Sequence, residues 1–60
     1  RRIIQDLFGA FMNDPRLLPP QYQTMARTDK ARAIADYIAG MTDRYAMREH
    51  RRLFAVGEIY

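Results

Sequence analysis

Sixty residues with a formal net charge of +3 and no cysteine make at most one small domain. That composition excludes disulfides and cysteine-ligated zinc, and no stretch reaches the ~18 apolar residues a spanning helix needs. A single core is marginal at this size, so stabilisation is expected from a partner, an oligomer or the rest of a larger protein.

The chain opens on Arg1-Arg2 rather than Met, a start that fits a fragment, a processed chain or a leader not included here. Arg1-Arg2 before Ile3-Ile4 could suggest a signal peptide. Asp6 and Asn13 interrupt the apolar run, however, and no small-residue cleavage site follows. The expectation is a chain outside the membrane, and the lack of cysteine suits the cytoplasm.

Residues 1–13 carry Ile3, Ile4, Leu7, Phe8, Phe11 and Met12 on one helical stripe, with Arg2, Gln5, Asp6 and Gly9 off it. Asn13-Asp14-Pro15 ends that helix, because Pro15 disfavours helical geometry at Asp14. A proline-rich connector follows. Leu17-Leu18 are expected to plug a gap between helices, and Pro20 can open a short helix over 20–25 that buries Tyr22 and Met25.

Thr28 or Asp29 caps the next helix. Ala31, Ile34, Ala35, Ile38, Met41, Thr42, Tyr45 and Ala46 share one apolar face. The phase runs through Gly40, so the spacing predicts one helix over 29–50, with a kink or restart near Met47 and an end at Gly57. Glu58-Ile59-Tyr60 is expected to be a frayed or docked tail. The fold class is therefore all-α: two main helices (1–13 and 29–50), a short helix between them, and no internal domain boundary.

Turning 29–50 as one helix puts Arg32, Asp36, Gly40, Asp43 and His50 on a second, polar face. Asp36 and Asp43 stand about 10 Å apart along the axis, too far to share a metal ion. Their spacing with His50 matches neither Glu-x-x-His nor His-Glu-x-x-His. Arg32–Asp36 has the i, i+4 spacing of an ion pair. A Gly inside a helix is a penalty, so Gly40 is expected to mark a close approach of another helix, bridged by Asp36 and Asp43. Tyr45 more than Tyr37 is expected in the core. His50, the sole histidine, has no Ser or Cys nucleophile placed beside it, and no glycine-rich phosphate loop is present. The basic clusters Arg1-Arg2 and Arg48/Arg51/Arg52 read as solvated helix ends in preference to a nucleic-acid footprint.

The run Asp36-Tyr37-Ile38-Ala39-Gly40-Met41-Thr42-Asp43-Arg44-Tyr45-Ala46, with Arg52-Leu53-Phe54 downstream, resembles the C-terminal segment of the deoxyguanosinetriphosphate triphosphohydrolase family within the HD-domain superfamily. Leu7-Phe8, Pro15, Leu17-Leu18-Pro19 and Tyr22 resemble the helix, turn and helix that precede that run. The resemblance implies an all-α parent enzyme, cleaving a deoxynucleoside triphosphate (dNTP) into deoxynucleoside and tripolyphosphate with a divalent metal such as magnesium or manganese. None of the family's His…His-Asp…Asp ligand set is present here, so no catalytic, metal or cofactor residue carries over. What carries over is a structural or interface role for Asp36, Tyr37, Gly40, Asp43, Arg44 and Tyr45. The implied partners are the remainder of the parent enzyme, further copies of it and the dNTP substrate. The competing reading is a stand-alone helical module that binds protein or nucleic acid.

Overall fold

In a computed structural model, the backbone is described for residues 2–59 and the side chains for residues 2–54. Four α-helices and one 3-10 turn make up those residues. Helix α1 runs Ile3–Asn13 and buries Leu7 and Phe11 completely. It stops where the sequence demands: Asp14 leaves helical geometry ahead of Pro15. The Asp14 carboxylate then accepts the Arg16 backbone N–H (3.2 Å) and Arg16 Nε–H (2.9 Å), opening a 3-10 turn over Pro15–Leu17.

Leu18 is buried and Leu17 half-buried against the core, as plugs between helices. Helix α2 runs Pro20–Ala26, with proline at its first position. Gln23 Nε2 donates back to the Leu18 carbonyl (2.7 Å) and the Arg16 carbonyl (3.2 Å). That side chain supplies the donors that prolines 19 and 20 cannot. Tyr22 packs against the core, whereas Met25 faces outward at 42% exposure, against the sequence expectation. Tyr22 is the one held inward, its ring centroid 4.9 Å from that of Tyr37.

The expected single helix over 29–50 is two. Helix α3 runs Lys30–Ala39 and helix α4 runs Asp43–Ile59. Asp29 is the N-cap of α3, its carboxylate accepting the Arg32 N–H at 3.2 Å. Past Ala39 the chain tightens: Gly40 N–H reaches the Tyr37 carbonyl (3.3 Å) and Met41 N–H the Ile38 carbonyl (3.0 Å). Thr42 then starts α4, its Oγ1 accepting the Tyr45 N–H at 3.1 Å. The periodicity concealed this break because both halves face the same core. Ile34 and Tyr37 of α3 and Ala46 and Glu49 of α4 are all buried.

The register resets at the turn, with consequences on both faces. Tyr37 is 8% exposed and Tyr45 46%, the reverse of the expected order. His50 leaves the predicted polar face and turns toward α1, its Nε2 lying 2.9 Å from Asp6 Oδ2. Helix α4 runs without a restart past Met47 and does not end at Gly57, and Tyr60 lies outside the described residues.

Gly40 has ordinary right-handed geometry (φ −85°, ψ −1°). A Cβ there would meet the Tyr37 and Asp36 carbonyl oxygens at 3.7 and 3.8 Å, ordinary contacts. Its place is helix termination, and among the described residues no helix packs closely on it. The core is Leu7, Phe11, Leu18, Ile34, Tyr37 and Ala46. Helix α1 packs on both α3 and α4, and α2 on α3. Lys30 Nζ donates to the Met12 carbonyl at 3.1 Å, giving the C-terminus of α1 the cation its own last turn lacks.

Two substitutions test the break. Thr42→Ala is expected to lower stability by about 1 kcal/mol through loss of the cap. Gly40→Ala is expected to be tolerated, with a gain of up to about 1 kcal/mol through the unfolded chain. Denaturant midpoints of the protein measure both, and a large loss in Gly40→Ala would mean that another backbone lies against this turn.

Candidate interaction surface

A phenol on the inner face of α3 must find a partner for its hydroxyl once buried. Tyr37 does so by touching every other helix. Its ring meets Phe11 of α1 edge-on (centroids 5.5 Å), Tyr22 of α2 at a tilt (4.9 Å) and Tyr45 of α4 edge-on (6.4 Å). Its hydroxyl donates to Glu49 Oε2 at 3.0 Å and lies 3.0 Å from the Tyr45 hydroxyl. With the Tyr37 proton committed to the carboxylate, Tyr45 is the donor of that second bond.

Glu49 is 8% exposed, and Arg52 grips it with Nε on Oε1 (2.6 Å) and Nη2 on Oε2 (3.0 Å). This bidentate bond, aided by the Tyr37 hydroxyl, holds the Glu49 carboxyl below its ordinary pKa against the opposing effect of burial. Burial, then the bonds to Tyr45 and Glu49, push Tyr37 well above the usual phenol value. No buried side-chain N or O among the described residues lacks a hydrogen-bond partner.

The residues singled out from sequence scatter around this network. Tyr37 is its hub and Tyr45 its outer lip. Asp36 is exposed and makes the expected pair with Arg32 at 3.4 Å. Gly40 closes α3; Asp43 opens α4 in its first turn, where a carboxylate suits the helix dipole. Arg44 is exposed. The sequence reading missed Glu49 and Arg52. The available signal was a carboxylate one turn after Ala46 and one turn before Leu53, on the apolar side, with an arginine at i+3. Asp6–His50, braced by stacking of His50 on Phe54 (4.6 Å), was missed too, because it joins residues distant in sequence.

A second feature faces outward. Between α1 and α4, Ile3, Ile4, Asp43, Ala46 and Met47 line a shallow groove of about 330 Å³. It continues past Asp43 and Met47 into a cleft of about 460 Å³ lined by Arg44, Arg48 and Arg51. Ile4 and Met47 are 50% and 55% exposed. None of the three arginines makes an ion pair with another described residue.

Among the described residues, no three His, Cys, Asp or Glu converge to hold a metal ion. No helix is long and apolar enough to cross a membrane. What the residues build is a small helical unit with an internal polar clamp and an apolar groove with a cationic border. Residues 1–52 match the family model of the phosphohydrolase-associated domain, and the chain belongs to that family. It is 88% identical over 60 residues to a deoxyguanosinetriphosphate triphosphohydrolase-like protein of Azoarcus sp. (strain BH72), covering 100% of this chain and 16% of the relative. Proteins of the same name from Ralstonia nicotianae (70% over 56 residues; 93% of this chain, 14% of the relative) and Thiobacillus denitrificans (66% over 59; 98% and 16%) are also similar. The chain thus spans about a sixth of the length of these curated relatives. No solved structure matches it.

The clamp makes two measurable demands. Tyr37→Phe leaves the buried carboxylate short of a donor and is expected to cost about 1–3 kcal/mol in denaturant unfolding. Because the folded pKa of Glu49 lies below its ordinary 4.5, its contribution is complete above that pH. It is lost as pH falls through the folded value. The acid side of the stability profile is expected to flatten in Glu49→Gln; an unchanged acid limb would show that the pair carries no linkage.

Proposed function

We propose that these sixty residues are the helical bracing part, near the C-terminus, of a metal-dependent dNTP triphosphohydrolase. The parent enzyme releases deoxynucleoside and tripolyphosphate. The observation that carries this reading is the 88% identity across the whole chain to a relative named deoxyguanosinetriphosphate triphosphohydrolase-like. The family signature agrees: Tyr37, Tyr45 and the helix ends around Gly40 and Asp43 form the joint that sets α4 against α1 and α3.

The expected divalent ion has no fitting donor set among the described residues. Asp6 and His50 are bonded to each other, and Glu49 is held by Arg52 and Tyr37. On this reading the metal is held by residues outside this chain, and no chemical step is routed through these helices. Their role is to present a rigid surface to the catalytic part. A cytoplasmic, oligomeric parent acting on dNTPs completes the reading.

The test is an assay of the full-length protein with dGTP and the other dNTPs in magnesium or manganese. The expected products, resolved by anion exchange, are deoxynucleoside and tripolyphosphate. Orthophosphate or pyrophosphate as the primary product would overturn the assignment. In the same protein, Asp43→Ala is expected to weaken thermal stability or assembly and leave metal affinity unchanged. Intact oligomers with lost metal affinity would refute the bracing role.

A further inference from the structure

The strip between α1 and α4 has two edges of different character. Ile3, Ile4 and Met47 supply the apolar edge, and Arg44, Arg48 and Arg51 the cationic one. Arg44 to Arg51 spans about 10 Å of helix axis, close to two turns. Apolar side chains this exposed beside a ready groove are characteristic of interaction sites. A helix lying in such a groove reads it through apolar residues one turn apart.

Charge decides between the occupants. A second copy of this chain would have to bring carboxylates to three arginines. Among its described residues, Asp6, Asp14, Asp36 and Glu49 already hold His50, Arg16, Arg32 and Arg52. Asp29 caps α3. Asp43 lies on the strip itself. A symmetric pairing through the strip would set arginines against arginines, which costs affinity. The relatives are about six times as long as this chain, so most of such a polypeptide lies outside it.

We propose that this strip seats an acidic amphipathic helix of the same polypeptide, from outside these sixty residues. Its apolar side covers Ile4 and Met47, and its Asp or Glu side chains meet Arg44, Arg48 and Arg51. The inference rests on the reading of the chain as part of a larger enzyme, and names the surface through which it is joined to that enzyme.

The test uses the full-length protein with Met47 replaced by a photoreactive benzoyl-phenylalanine. Irradiation is expected to give an adduct at single-subunit mass, mapping to a helix with carboxylates beside its apolar side chains. An adduct to these same sixty residues in a second copy, or no adduct, overturns the proposal. A second measurement needs no substitution. Hydroxyl-radical oxidation of Met47 in the native protein is expected to be slowed roughly tenfold or more relative to the denatured protein. Oxidation at the denatured rate overturns the proposal as well. The enzymatic reading fails separately. Triphosphohydrolase activity without the adduct sinks the docking site alone, and the adduct without that activity sinks the assigned reaction alone.

Discussion

The hydrogen bond from Tyr37 to Glu49 is the constraint on which the arrangement of these helices depends. A carboxylate at 8% exposure is costly unless its charge is matched and its lone pairs are used. Arg52 matches the charge from the same helix, and Tyr37 fills the remaining site from a different one. The Arg52 contact is local and forms wherever α4 forms. The Tyr37 contact requires α3 and α4 to cross at one angle. It thereby converts a general preference for burial into a defined geometry, which apolar packing of small residues such as Ala33 and Ala46 does not specify by itself. Tyr37 also touches Phe11 and Tyr22, so one side chain ties the crossing to α1 and α2.

Much of this was legible in the chain. The all-helical class, the stop at Asp14, the opening of α2 at Pro20, the Asp29 cap and the plug at Leu18 follow from proline chemistry, capping oxygens and apolar spacing. Those are local causes, and local causes can be read in a sequence. The break at Gly40–Thr42 has local causes as well: a residue of poor helix propensity, followed two positions later by an efficient cap. It was hidden because an apolar stripe records which residues face a core, and two helices around one core can keep that record continuous. Once the axis turns, Tyr45 moves to the rim and His50 to the seam with α1. Reading one helix therefore misplaced both.

The clamp was harder to read for a different reason. Glu49 in sequence is one charge among several on a basic helix, and its burial depends on what α3 places opposite it. Nothing within four residues of Glu49 discloses Tyr37. The same holds for Asp6 and His50, whose contact exists only because α1 returns alongside α4. Contacts of this kind belong to tertiary structure, and sequence spacing alone is silent on them.

The family signature gains a physical meaning from this geometry. Its residues terminate one helix, cap the next and lock the two through a phenol pair. Such a joint controls where the outer face of α4 points. That face carries the arginines and Met47, so the buried clamp sets the aim of the exposed strip. Tyr45 links the two directly, with its hydroxyl in the clamp and its ring at the surface beside Arg48. The internal polar bonds fix the angle between α3 and α4, and through it the direction in which Arg44, Arg48 and Arg51 are presented.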